Sequence, residues 1–286
     1  RFNVIDDDAR DCSRALYGEL ARGTPVEEAV RQARLVLSEG PRRWAVGVPV
    51  LYTALDGPAP GFVRTAGTPR VLEGQPPMAV DALPRAEGAF QGRVTELRAL
   101  GRQLTGDARP RVLTIHGGGG QGKTALAREA VERFAHAWPG GVWALSLEHL
   151  PERETLVNDL ARFFDLPLRE IADPAEVERQ ILARLGRQRT LLVLDNAETL
   201  VAGVEAGDAD ALALAELVRQ RLPGPRTSLL LTSRYHLGWA GEVTLDLGGL
   251  APEEGARLFA QHAPGRTGAI ETALAATLSQ RVGGHP

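Results

Sequence analysis

The stretch whose reading decides the fold is RVLTIHGGGGQGKTALAREA, Arg111 to Ala130. Val112 to Ile115 form a short apolar run rich in β-branched residues and read as a buried strand. A glycine-rich loop follows, then a run of good helix formers. Gly117, Gly122, Lys123 and Thr124 match the G-x-x-x-x-G-K-[ST] phosphate-loop pattern in the strand–loop–helix context that it requires. Phosphate oxygens need several donors converging at close range. The run Gly117, Gly118, Gly119, Gly120, Gln121 and Gly122 keeps side chains from crowding those backbone N–H groups. The helix beginning near Lys123 turns the positive end of its dipole toward the anion, with Ala125 at the edge of the loop.

The side chains follow the same logic. Lys123 is expected to reach the β- and γ-phosphates of ATP or ADP, and the Thr124 hydroxyl to ligate Mg²⁺. Lys123 is also the single lysine among 33 Lys plus Arg, so basic residues are arginine everywhere except where a compact ammonium is called for. The alternative reading is a flexible glycine turn with no ligand.

A chain of 286 residues has room for about two domains with sizeable cores. Its 43% apolar and 24% charged content is ordinary for a soluble globular protein. The net charge of −3 provides no global pull toward nucleic acid or anionic membrane. A single cysteine excludes an internal disulfide framework and suits a reducing compartment, so the expected location is cytoplasmic. No apolar run approaches the ~20 residues of a membrane span. The chain begins with Arg1 instead of methionine, which reads as a piece of a longer protein and leaves an upstream targeting signal open.

Before the loop, residues 2–5 read as a strand end and Asp6–Asp8 as an acidic helix start, with Gly23 ending that helix. Thr24, Pro25 and Glu27 predict a capped second helix, with Val26, Ala29, Val30, Ala33 and Leu37 on one face. Trp44 to Leu55 read as a closing strand. Two helices and a tryptophan-led strand resemble the C-terminal end of the CHAT family of caspase-like proteases. Tyr17, Leu20, Gly23, Pro25, Glu28, Ala29, Ala33, Arg34, Trp44, Leu51 and Tyr52 carry the likeness. It implies that residues 1–57 are an α/β remnant whose catalytic histidine and cysteine lie upstream. Cys12 matches no catalytic position and reads as a small helix-buried thiol. Residues 58–86, rich in proline and glycine without periodicity, read as a linker.

Phe90, Gly92, Arg93, Glu96 and Leu97 resemble the aromatic-Gly-Arg-x-x-Glu-Leu segment that precedes the phosphate loop in STAND nucleotide switches and in origin-recognition ATPases. The resemblance implies that this segment, Gly92 and Arg93 included, flanks the adenine. A plain helical surface pair between Arg93 and Glu96 is the other reading.

Thr190 to Glu198, TLLVLDNAE, reads as a buried parallel strand that delivers Asp195 at its C-terminal edge, where open α/β sheets bind ligands. Asp195 is expected to hold Mg²⁺; a strand-end cap is the alternative. Family members often carry a second acid beside this Asp, and Asn196 stands there instead, which argues for slow hydrolysis. Glu198 reads either as the group orienting the attacking water or as a surface carboxylate. Ser228 to Thr232 predict another buried strand leading to Arg234. Arg234 matches a sensor that contacts the terminal phosphate, with a surface arginine as the alternative.

Residues 201–210 read as an acidic loop, Ala211 to Arg221 as a helix and Glu242 to Leu247 as a last strand. Leu250 to Phe259 and Gly283-Gly284-His285-Pro286 resemble the L-x-P-E-E-x-x-x-L-F and G-G-x-P runs of NB-ARC-type switches, where the proline, here Pro286, packs near the adenine. The six histidines show no metal-ligand spacing, and His116 reads as a strand-end residue.

The expected architecture is therefore α/β: a three-layer α/β/α P-loop NTPase with a central parallel sheet at 87–247, and the start of a helical lid at 248–286. The resemblance implies an ATP/ADP-binding switch with slow hydrolysis. Lys123, Asp195, Glu198 and Arg234 would be its reactive residues, and Thr124 with Asp195 its metal ligands. It implies nucleotide-dependent homo-oligomerisation and an activating ligand sensed outside residues 1–286. No membrane partner is expected and nucleic acid is not indicated. The alternatives are an AAA-type ATPase of the origin-recognition kind and a small-molecule phosphotransferase.

Overall fold

Apolar side chains on both faces of one sheet organise the larger part of the chain. The structure is a computed structural model describing residues 6–39, 76–85, 90–106, 108–171, 173–263 and 269–286. It divides into two units, Arg1–Glu73 and Gly74–Pro286.

In the first unit, α1 (Asp6–Ala21) packs on α2 (Val26–Glu39). Val26, Ala29, Ala33 and Leu37 are buried, as their helical spacing predicts. Pro25 precedes the helix and its carbonyl accepts from the Ala29 N–H at 2.9 Å. The Thr24 hydroxyl donates to Glu19 Oε2 at 2.9 Å, tying the start of α2 to the end of α1. Cys12 is partly buried in α1, and that burial pushes its thiol pKa up, away from a reactive thiolate. The expected strand segments at 2–5 and 44–55 lie outside the described residues.

The second unit runs β1 (Met78–Ala79), α3 (Val94–Thr105), β2 (Val112–His116), α4 (Lys123–Phe134), β3 (Val142–Ser146), α5 (Arg153–Phe163) and α6 (Pro174–Leu185). It continues with β4 (Thr190–Asp195), α7 (Ala197–Glu205), α8 (Ala209–Glu216), β5 (Thr227–Ser233), β6 (Glu242–Asp246), α9 (Pro252–His262) and α10 (Ala269–Arg281). The six strands form one all-parallel sheet in the order β1-β3-β4-β5-β2-β6. Successive residues point to opposite faces. Leu113, Ile115, Leu191, Val193 and Leu230 pack against α3 and α4, and Leu192, Leu194, Leu229 and Leu231 pack against α5 to α8. This two-sided burial is why the strands read as continuous apolar runs.

Two segments differ from expectation. Met78 and Ala79, inside the predicted linker 58–86, form an edge strand beside β3, and Val80 and Leu83 are buried behind them. Two residues are too few for a period-2 pattern, so tertiary pairing alone makes this strand. Residues 201–205 belong to α7 and not to a loop, because buried Ala197 and Leu200 hold the helix to the sheet until Gly207, at φ +76°, ends it. Asp208 then caps α8, accepting from the N–H groups of Asp210 and Ala211 at 2.8 and 3.0 Å.

Candidate functional site

The loop between β2 and α4 is built by close approach and left-handed backbone. A Cβ on Gly117 would stand 2.5 Å from the Leu247 carbonyl oxygen, so only glycine lets the loop pack on the chain leaving β6. Gly122, at φ +84°, turns the chain into α4. Lys123 is buried and its ammonium donates to the carbonyls of Gly117 and Gly118, both at 2.8 Å. That burial lowers its pKa, opposed by the carboxylates of Glu198 and Asp195 and reinforced by Arg234.

Thr124 and Asp195 meet across the sheet edge. The Thr124 hydroxyl lies 2.8 Å from Asp195 Oδ1 and 3.0 Å from Oδ2. Thr232, at the end of β5, donates its hydroxyl to Asp195 Oδ1 at 2.5 Å and accepts from the Asn196 N–H at 3.0 Å. Thr232 is fully buried and was invisible to sequence reasoning, since it reads as one more strand residue. It fixes the rotamer of Asp195. The paired hydroxyl and carboxylate are hard oxygen donors of the kind Mg²⁺ takes, beside the glycine loop.

Glu198 and Arg234, read separately from sequence, are partners. Glu198 Oε1 accepts from Arg234 Nε at 3.1 Å, and Oε2 accepts from the Arg234 N–H at 3.3 Å. The guanidinium faces the loop, 3.9 Å from where a Cβ on Gly119 would stand. Glu198 therefore holds the Arg234 side chain in this structure.

Arg93 is buried below the loop. Only 4% exposed, it spends its guanidinium on protein acceptors. Nη1 donates to Glu96 Oε1 at 3.0 Å and to the Gly249 carbonyl at 3.2 Å. Nη2 donates to the carbonyls of Gln121 at 3.1 Å and Gly248 at 2.7 Å. The backbone N–H of Arg93 donates to Glu254 Oε1 at 3.2 Å, and Glu254 also accepts from the Ala251 N–H. A Cβ on Gly92 would strike that carboxylate, so Gly92 serves the same contact. Phe90 and Ala125 instead line an open cavity of about 580 Å³ together with Val80, Asp81 and Arg128. The chain end closes over the loop: His285 Nε2 lies 3.3 Å from the Gly119 carbonyl oxygen, and Pro286 Cγ is 3.9 Å from a Cβ placed on Gly122.

An all-parallel sheet between two helical layers, with a glycine loop joining a strand to a lysine-led helix, defines a P-loop NTPase fold. Residues 107–233 match the family model described as an AAA domain. The chain is 30% identical over 156 residues to the uncharacterized protein Rv0894 of Mycobacterium tuberculosis, covering 54% of this chain and 36% of that one. It is 32% identical over 192 residues to the regulatory protein AfsR of Streptomyces coelicolor, covering 62% of this chain and 18% of that one. The chain thus spans 36% of Rv0894 and 18% of AfsR, a minor part of each. Similar solved structures include the ORC1 protein of Aeropyrum pernix in complex with DNA, at 22% identity and a TM-score of 0.47 over 68% of this chain and 56% of that one. Another is the STAND protein with a tetratricopeptide repeat sensor, PH0952, from Pyrococcus horikoshii, at 22% identity and a TM-score of 0.47 over 72% of this chain and 30% of that one. Among the described residues no helix is long and apolar enough to cross a membrane.

Proposed function

We propose that the chain is an ATP- or ADP-binding switch module that couples the phosphate loop to the segment 248–286. One observation carries this reading: the Arg93 guanidinium donates at once to Gln121 in the loop and to Gly248 and Gly249 at the start of that segment. A ligand that shifts Gln121 must either keep or break this bond set, which is how occupancy biases a two-state element. His285 and Pro286, seated on Gly119 to Gly122, close the same route from the other side.

On this reading the N–H groups of the loop bind phosphate, and Lys123 leaves the carbonyls of Gly117 and Gly118 to meet it. Thr124 and Asp195 would hold Mg²⁺, which when bound neutralises phosphate charge. Arg234 reports the terminal phosphate by exchanging its bond to Glu198 for one to a phosphate oxygen. Hydrolysis is slow on this reading because Asn196 stands where a second acid beside Asp195 would be. Homo-oligomerisation with ATP and an activating ligand sensed elsewhere complete the proposal. Residues 1–57 are assigned, on their residue pattern alone, to the end of a CHAT-like effector. The regulatory name of AfsR agrees with a switch. The expectation that nucleic acid is no partner gains nothing from the similar structures, one of which was solved with DNA.

Calorimetry with ADP and ATP in Mg²⁺ tests the proposal, with sizing chromatography of each mixture. Uptake of both, with a larger species in ATP, is expected. No uptake of either by folded protein would remove the reading, and salt-dependent DNA capture would redirect it to the origin-recognition alternative.

A further inference from the structure

We propose that His116, His236 and Asp246 form a binding site for a divalent transition-metal ion of the zinc type, separate from the Thr124–Asp195 pair. Sequence spacing conceals it. His116 ends β2, Asp246 ends β6, and His236 follows β5; these three strands are neighbours in the sheet, so their C-terminal ends converge. One ligand atom from each residue lies within 4.8 Å of the others. Asp246 Oδ1 faces both imidazoles, 2.9 Å from His116 Nδ1 and 3.9 Å from His236 Nε2. The two rings are stacked with centroids 3.8 Å apart and 28° between planes, which puts their edges side by side toward that oxygen.

Tetrahedral bonds of about 2.0–2.2 Å hold donor atoms roughly 3.3–3.5 Å apart, so the present separations need only small adjustments. The side chains that must move are free to do so: Asp246 is 73% exposed and His236 58% exposed, while His116, at 24%, is the anchor. Two imidazoles and one carboxylate select zinc, cobalt or nickel over Mg²⁺, whose preference is for oxygen. Three protein ligands leave a fourth position for water.

The position gives the ion a consequence. His116 directly precedes Gly117 of the loop, His236 lies two residues after Arg234, and Asp246 directly precedes Leu247, which packs on Gly117. An ion here would tie the Arg234 segment to the base of the loop and to the strand leading into Gly248.

The test is Zn²⁺ titration of the metal-stripped 286-residue chain by calorimetry without nucleotide, with Co²⁺ absorption as a second readout. About one equivalent of Zn²⁺ and the intense visible bands of four-coordinate Co²⁺ are expected. His236→Ala and Asp246→Asn should each weaken binding at least about tenfold, the loss that even outer-shell partners cause. Both positions are exposed, so their metal-free melting temperatures should match wild type, and His149→Ala, outside the cluster, should bind normally. Absence of uptake, uptake unchanged by both substitutions, or a Co²⁺ spectrum like that of the hydrated ion would overturn the site. Because no nucleotide is present, this result stands apart from the switch reading.

Discussion

The Thr124 hydroxyl sits 2.8 and 3.0 Å from the two carboxylate oxygens of Asp195, although β5 lies between β4 and the strand that feeds the loop. A hydroxyl facing a carboxylate at this range is a pair a small hard cation can enter, and Thr232 keeps the carboxylate aimed. Asp195→Asn keeps the shape and removes the charge. The Mg²⁺ enhancement of nucleotide affinity should fall at least about tenfold, or ~1.4 kcal/mol, while nucleotide binding without Mg²⁺ changes little. An unaltered Mg²⁺ titration would take Asp195 out of the site.

Lys123 yields a prediction with opposite signs for binding and stability. Burial lowers its folded pKa below the usual 10.5, so between those two values the unfolded chain holds more protons and stability rises with pH. Lys123→Met removes that slope. The ligand-free variant should be no less stable than wild type near neutral pH, and wild type should gain on it as pH climbs toward 10.5. At the same time the ADP·Mg²⁺ thermal shift, about 2.7 kcal/mol of stabilisation at 100 times Kd, should vanish. Melting curves with and without ADP at several pH values check both.

Arg93 is a buried guanidinium with backbone acceptors on two segments, and removing it strands them. Arg93→Ala should cost about 3–5 kcal/mol, as for breaking one side of a buried charged network, and Arg93→Lys somewhat less because the planar fork is lost. Urea unfolding measures the first effect. Faster release of a fluorescent ADP analogue from Arg93→Lys would report the loosened 248–286 segment; an unchanged release rate would count against the clasp.

Glu198 separates two roles. Its bond to Arg234 is partly exposed, so Glu198→Gln should change stability by no more than about 1 kcal/mol. If Glu198 restrains Arg234, the variant should bind ATP at least as tightly as wild type. A drop in single-turnover hydrolysis with binding unchanged would favour the water-orienting role.

The phosphate loop, the apolar strands and the Asp195 strand end were legible because each is encoded locally: glycine for tight backbone, apolar runs for two-sided burial, a charged residue where the run stops. Thr232 as the group aiming Asp195, the Glu198–Arg234 pair, the bonds of Arg93 to Gln121, Gly248 and Gly249, the two-residue strand at Met78 and the His116–His236–Asp246 cluster were not legible. Each depends on which strands become neighbours and which segment folds over which loop. Residue types and their spacing along the chain decided that a parallel sheet would present a phosphate loop. Strand order and side-chain competition for buried partners, which no linear spacing records, decided what those residues touch.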